Sequence, residues 1–144
     1  MNSVLILFLF TFTMGIATAQ NSILGKWKTI SSKTGTARSV VEIGERNGKI
    51  YGKVIKIFSR LGEDPDPVCL KCSTEDPRFN KKIIGMEVLK EMVKIYEGYT
   101  GGSILDPEVG VVYRCTIWRE GNELKVRGYV GPFFRTQTWV ELVP

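Results

Sequence analysis

Arg127-Gly128-Tyr129-Val130-Gly131-Pro132-Phe133-Phe134-Arg135-Thr136-Gln137-Thr138-Trp139 reads as two strands meeting at a Gly-Pro corner. Branched and aromatic residues suit a pleated, half-buried surface, and Gly-Pro suits the turn between such runs. Successive strand side chains point to opposite faces. Arg135, Gln137 and Trp139 therefore share one face of the second strand, with Thr136, Thr138, Val140 and Leu142 on the other. In the strand before it, Leu124, Val126, Gly128 and Val130 oppose Lys125, Arg127 and Tyr129. One face inside and one in solvent is the mark of antiparallel sheets.

The same pattern runs through the chain. By period and turn chemistry there are about eight strands: Ile23–Ser31, Ala37–Ile43, Lys49–Phe58, Ile83–Val93, Ile95–Leu105, Val109–Arg119, Glu123–Val130 and Phe133–Leu142. Glu45-Arg46-Asn47-Gly48, Asp106-Pro107-Glu108 and Glu120-Gly121-Asn122 separate several of them, and Asn and Gly accept the positive φ that hairpins need. Trp27 and Thr29 share a face opposite Lys26 and Lys28. Ile83–Lys94 is also compatible with a helix through Ile84, Val88 and Leu89, but strand is favoured. Eight strands joined by short turns favour closure into a barrel, which removes exposed sheet edges. The expectation is an all-β, single-domain, antiparallel up-and-down barrel, wide enough for side chains or one small ligand. The long connection is Ser59 to Lys82, with Asp64-Pro65-Asp66-Pro67 and Cys69-Leu70-Lys71-Cys72. A connection of that length is usually functional or stapled.

Val4–Phe12 is almost wholly apolar, no charged side chain precedes Lys26, and Ala17-Thr18-Ala19 offers a small-x-small cleavage pattern. Val4 to Ala19 is short of the roughly 20 residues that span a bilayer. These features predict a cleaved signal peptide over 1–19, a single barrel domain over 20–144, no membrane span in the mature chain, and export to the periplasm or exterior. The net charge of +5 is scattered along the chain, which is the pattern of a solvated surface. In an envelope any electrostatic partner would be anionic envelope material; nucleic acid is not expected.

Gly25-Lys26-Trp27 looks like the Gly-x-Trp first strand of lipocalin-like barrels. The run from Ile84-Gly85 through Gly101-Gly102-Ser103-Ile104-Leu105-Asp106-Pro107 and Val112-Tyr113 to Arg127-Gly128-Tyr129-Val130-Gly131 and Arg135-Thr136-Gln137-Thr138-Trp139 resembles the bacterial envelope proteins classed as domain of unknown function 2147. The resemblance covers nearly all of the mature chain in the same order. It implies a small exported lipocalin-like barrel and transfers no catalytic residue.

The chain has no histidine, which removes Ser-His-Asp triads, Cys-His dyads and histidine-ligated zinc together. No acid pair stands at a spacing that would divide acid and base roles, so an enzyme is not expected, nor is a cofactor. Gly101-Gly102 lacks the Lys-Ser/Thr and helix of a phosphate loop. An oxidising compartment favours a disulfide among Cys69, Cys72 and Cys115. Cys69 with Cys72 would stiffen the long loop; either with Cys115 would pin it to a strand for roughly 3–4 kcal/mol. The alternatives are a site with Cys69, Cys72 and Cys115 as thiolate metal ligands, and a redox pair.

The candidate ligand-binding residues are Trp27, Arg127, Tyr129, Arg135, Gln137 and Trp139. In one reading, Trp139 and Trp27 plug a barrel end while Arg135 stacks on an indole, as a last-strand arginine does in lipocalin-like barrels. In the other, Arg135 and Gln137 face the lumen beside Tyr129 or Arg127 and hold a carboxylate or phosphate. The expected function is binding of a small amphipathic or anionic ligand by a monomer. The rivals are a solid-packed barrel serving as a structural or interaction protein, and a thiol- or metal-handling protein.

Overall fold

The structure, a computed structural model, describes residues 22–144; the expected signal peptide lies outside them. Eight strands follow in order: β1 (Gly25–Ile30), β2 (Ala37–Arg46), β3 (Lys49–Ile57), β4 (Glu87–Ile95), β5 (Gly98–Asp106), β6 (Val111–Glu120), β7 (Glu123–Val130) and β8 (Phe133–Glu141). Each pairs antiparallel with the next, and β8 returns to β1 through Trp27 opposite Glu141 and Thr29 opposite Trp139. The sheet is a closed, sequentially wound barrel, as the alternation and short turns required. At the β2–β3 turn, Asn47 and Gly48 both take positive φ, 52° and 74°, which matches the right-handed twist of the flanking strands.

Both ends of β4 and the start of β5 differ from expectation. β4 starts at Glu87 rather than Ile83, because Ile83–Met86 closes the β3–β4 loop with its own hydrogen bonds, including Ile83 N to Pro67 O and Gly85 N to Val54 O. The following hairpin turns at Tyr96-Glu97, so β4 reaches Ile95 and β5 begins at Gly98. A strand, not a helix, occupies the ambiguous stretch.

The two ends of the barrel are built differently. At the end formed by the β2–β3, β4–β5 and β6–β7 turns, the inward faces carry Trp27, Ile43, Ile50, Met92, Ile117 and Leu124, each 2% exposed or less. Burying each such side chain contributes about 1.5–3 kcal/mol. This half is packed solid. The Trp27 indole N–H donates to the Ile23 carbonyl at 2.8 Å, so the segment before β1 caps it.

The opposite end carries the β1–β2, β3–β4, β5–β6 and β7–β8 connections. The β3–β4 loop is folded onto itself: Val68 bridges Lys82, the Cys69 amide donates to the Lys81 carbonyl, and the Asn80 amide donates to the Cys69 carbonyl. Cys69 and Cys72 are disulfide-bonded and buried. The loop presses on the β5–β6 turn, where a Cβ on Gly110 would overlap the Lys71 carbonyl. Arg78 forms a two-pronged pair with Asp76 and donates to the Glu87 carbonyl at 3.0 Å, tying the loop to β4.

Candidate functional site

Above the solid half, the barrel opens into a cavity of about 380 Å³, within the range of about 300–1,000 Å³ that small-molecule sites occupy. Val41, Val54, Val126 and Trp139 make its apolar floor, and Ile57, Ile83, Val88 and Ile104 continue that surface towards the loops. Tyr113 of β6 reaches across Gly128 of β7, where a Cβ would approach the tyrosine Cβ to 3.3 Å; the missing side chain leaves room for the ring. Polar groups join the wall at Thr29, Ser39, Gln137 and Arg135. Thr29 and Ser39 satisfy each other at 2.8 Å.

Charge at the mouth is divided unequally. Arg38 is ion-paired with Glu63 at 3.1 Å and Glu108 at 2.5 Å, and donates to the Phe58 carbonyl. Burial opposes the Arg38 charge, but hydrogen bonds to Glu108 and Glu63 outweigh it and raise its pKa. The Arg60 amide, followed by Arg38, pulls the Glu63 carboxyl down. Arg38 therefore clasps the β3–β4 loop and the β5–β6 turn together. Arg135 has no carboxylate or hydrogen-bond partner among the described residues, and its charge stands open at the rim beside Gln137.

The last strand turns its Arg135, Gln137 and Trp139 face into the lumen. Trp139 is buried in the floor, with its indole nitrogen 3.5 Å from the side-chain amide oxygen of Gln137. The other candidates lie elsewhere. Arg127 and Tyr129 are on the outer face of β7, because Leu124 and Val126 take the inner one. Arg127 stacks between the Trp118 and Phe134 rings and donates to Thr136. Trp27 belongs to the solid half and does not line the cavity. The arginine over its indole is Arg119 of β6, at 5.2 Å, rather than Arg135 of the last strand.

The cysteines are also settled by geometry. Cys69 and Cys72 are bonded to each other, so the arrangement of three thiolates does not form. Cys115 is a free, buried thiol on the inner face of β6, pushed up to about 12 by burial, which is the opposite of a reactive thiol. The sequence reading missed Arg38, Ser39 and Tyr113. A small residue in β7 facing an aromatic in β6 was a usable signal for Tyr113. Arg38 had none, since its partners lie in two distant loops.

A solved structure described as a protein from the human pathogen Helicobacter pylori that belongs to the lipocalin family is similar to this one. The TM-score is 0.70 at 23% sequence identity, covering 85% of this chain and 84% of the other. That likeness establishes the shared lipocalin-like fold. No curated protein matches the chain. Residues 25–141, the whole barrel from β1 to β8, match the family described as "Uncharacterized protein conserved in bacteria (DUF2147)", and the chain belongs to that family.

Proposed function

We propose that the protein binds, without catalysis, one small amphipathic molecule bearing an anionic group, and does so as an exported monomer of the cell envelope. The observation that carries this reading is the half-hollow barrel: an apolar floor of Val41, Val54, Val126 and Trp139 beneath a rim where Arg135 has no counter-charge among the described residues. An apolar body would replace water on the floor, while Arg135 and Gln137 would donate to a carboxylate or phosphate.

Absence of catalysis is supported by the direction of the shifted groups. Arg78 and Arg46 hold Asp76 and Glu87 down, the Arg60 amide followed by Arg38 holds Glu63 down, and burial pushes Cys115 up, so none of these moves towards neutrality, where general acids and bases work. Export is supported by the apolar Val4–Phe12 run, the Ala17-Thr18-Ala19 pattern and the Cys69–Cys72 pairing.

Native mass spectrometry of the protein purified from an exporting host without denaturant tests the reading. A retained adduct, or a raised thermal midpoint with fatty acids or anionic metabolites, is expected. Neither adduct nor shift across such a panel would remove the cargo function.

A further inference from the structure

A second surface lies outside the lumen, on the outer face of β6, β7 and β8. Cations and aromatic rings alternate there. Arg114 lies over Tyr129 at 5.9 Å, and Arg127 sits between Trp118 at 5.0 Å and Phe134 at 4.3 Å. The strand register sets them side by side, with Arg114 opposite Tyr129 and Tyr129 opposite Phe134. No Asp or Glu occurs from Val109 to Arg119 or from Leu124 to Val140. Elsewhere, Arg38, Arg46, Arg78 and Arg119 each hold an ion pair, while Arg60 donates to the Thr34 hydroxyl. Among the described residues, Arg114, Arg127 and Arg135 hold none.

At the open end of this face the β7–β8 corner projects into solvent. Val130 is 58% exposed, Phe133 75% and Phe134 60%. Large apolar groups clustered on a turn and left more than half exposed mark a contact surface.

We propose that the β7–β8 corner and its arginine flank dock on an anionic lipid bilayer, with the mouth of the lumen facing the lipid. The apolar tips project at the end of the face while the arginines stand along the strands behind them. Hydrocarbon rewards submerging Phe133 and Val130, and the aromatic–cation layer behind them matches the headgroup zone, where such rings and cations concentrate. Each unneutralised cation near an anionic leaflet strengthens binding by about fivefold. A soluble polyanion would use the arginines but gain little from the protruding tips. Arg135 lies at the same end and faces inward, so an anionic headgroup leaving the bilayer meets it next. The docking stands independently of cargo binding, because membrane attachment is read with no lumen ligand added.

Vesicle co-sedimentation of residues 20–144 tests this; the closed sheet and its core lie wholly within that part of the chain. Binding is expected to vesicles of roughly one-third phosphatidylglycerol in phosphatidylcholine, and about 25-fold weaker or more to phosphatidylcholine alone. The double substitution Phe133→Ser/Phe134→Ser should lower the bound fraction about tenfold. Arg114→Gln/Arg127→Gln should weaken binding about 25-fold, two cations at about fivefold each, and flatten its salt dependence. Thermal unfolding of each variant is followed alongside, and Val130→Ser carries the apolar arm if the double serine variant unfolds without cooperativity. Wild type that ignores anionic vesicles at low salt overturns the proposal. So does binding that survives the serine substitutions but is abolished by polyphosphate, which would make the face a polyanion site.

Discussion

The Arg119 guanidinium lies over the Trp27 indole, 5.2 Å from its centroid, although two strands separate β6 from β1 around the barrel. The same guanidinium donates to the Ser22 carbonyl and the Glu141 carboxylate at 2.6 Å each. One side chain thus holds the start of the barrel, its last strand and the plug of the closed end.

Arg119→Ala is expected to destabilise the fold by about 1–3 kcal/mol, through loss of the stacked cation and the charged hydrogen bonds. Arg119→Lys should recover only part of this, since a point charge cannot serve three partners with one planar fork. Denaturant midpoints of the three proteins check both statements. Arg135→Ala, by contrast, should leave stability within about 0.5 kcal/mol, since Arg135 is exposed and has no ion-pair partner among the described residues.

Arg135→Gln is expected to weaken binding of an anionic amphiphile by roughly tenfold or more while leaving a neutral apolar ligand unaffected. Titration with a fatty acid and the matching alcohol separates the two. Equal losses for both ligands would show that Arg135 acts on the shape of the mouth and not on charge.

Native protein should react with a thiol reagent at none of its cysteines, and unfolded, unreduced protein at Cys115 alone. The Cys69–Cys72 bond withdraws two sulfurs, and the third is buried with its thiol pushed up to about 12. Replacing Cys69 and Cys72 with serine should cost about 2 kcal/mol on chain-entropy grounds, small because the ring they close is short. Mass spectrometry after alkylation, with and without denaturant, counts the thiols.

The Arg78 hydrogen bonds hold the Asp76 carboxyl down to about 2, from an ordinary 3.8. Its folded pKa lies below the unfolded one, so its contribution is complete above about pH 4 and disappears as pH falls through about 2. That contribution is roughly 2 kcal/mol. Asp76→Asn should lower the thermal midpoint at pH 6, and the gap to wild type should close between about pH 4 and 2. A gap that persists at pH 2 would mean that the substitution acts through packing.

Much of the fold was written in short-range pattern. Alternation at Leu124–Val130 and the turn residues Asn47-Gly48 and Gly121-Asn122 are local chemistry, and they place strands and hairpins without knowledge of the rest. Even the orientation of the last strand was within reach. A two-residue turn at Gly131-Pro132 pairs Val130 with Phe133 and hence Gly128 with Arg135. Directly opposed residues point the same way, so the apolar inner face of β7 carries Arg135, Gln137 and Trp139 inward with it and leaves Arg127 and Tyr129 outside.

Period and turn chemistry alone were enough for an all-β barrel of eight strands, because each signal is decided within a few residues. Contacts between remote segments were not readable that way. That Arg119 and not Arg135 covers Trp27, that Arg38 joins Glu63 to Glu108, and that half the lumen is solid and half open depend on curvature and closure. These bring side chains from opposite ends of the chain to one place, and no local pattern records which of them will meet.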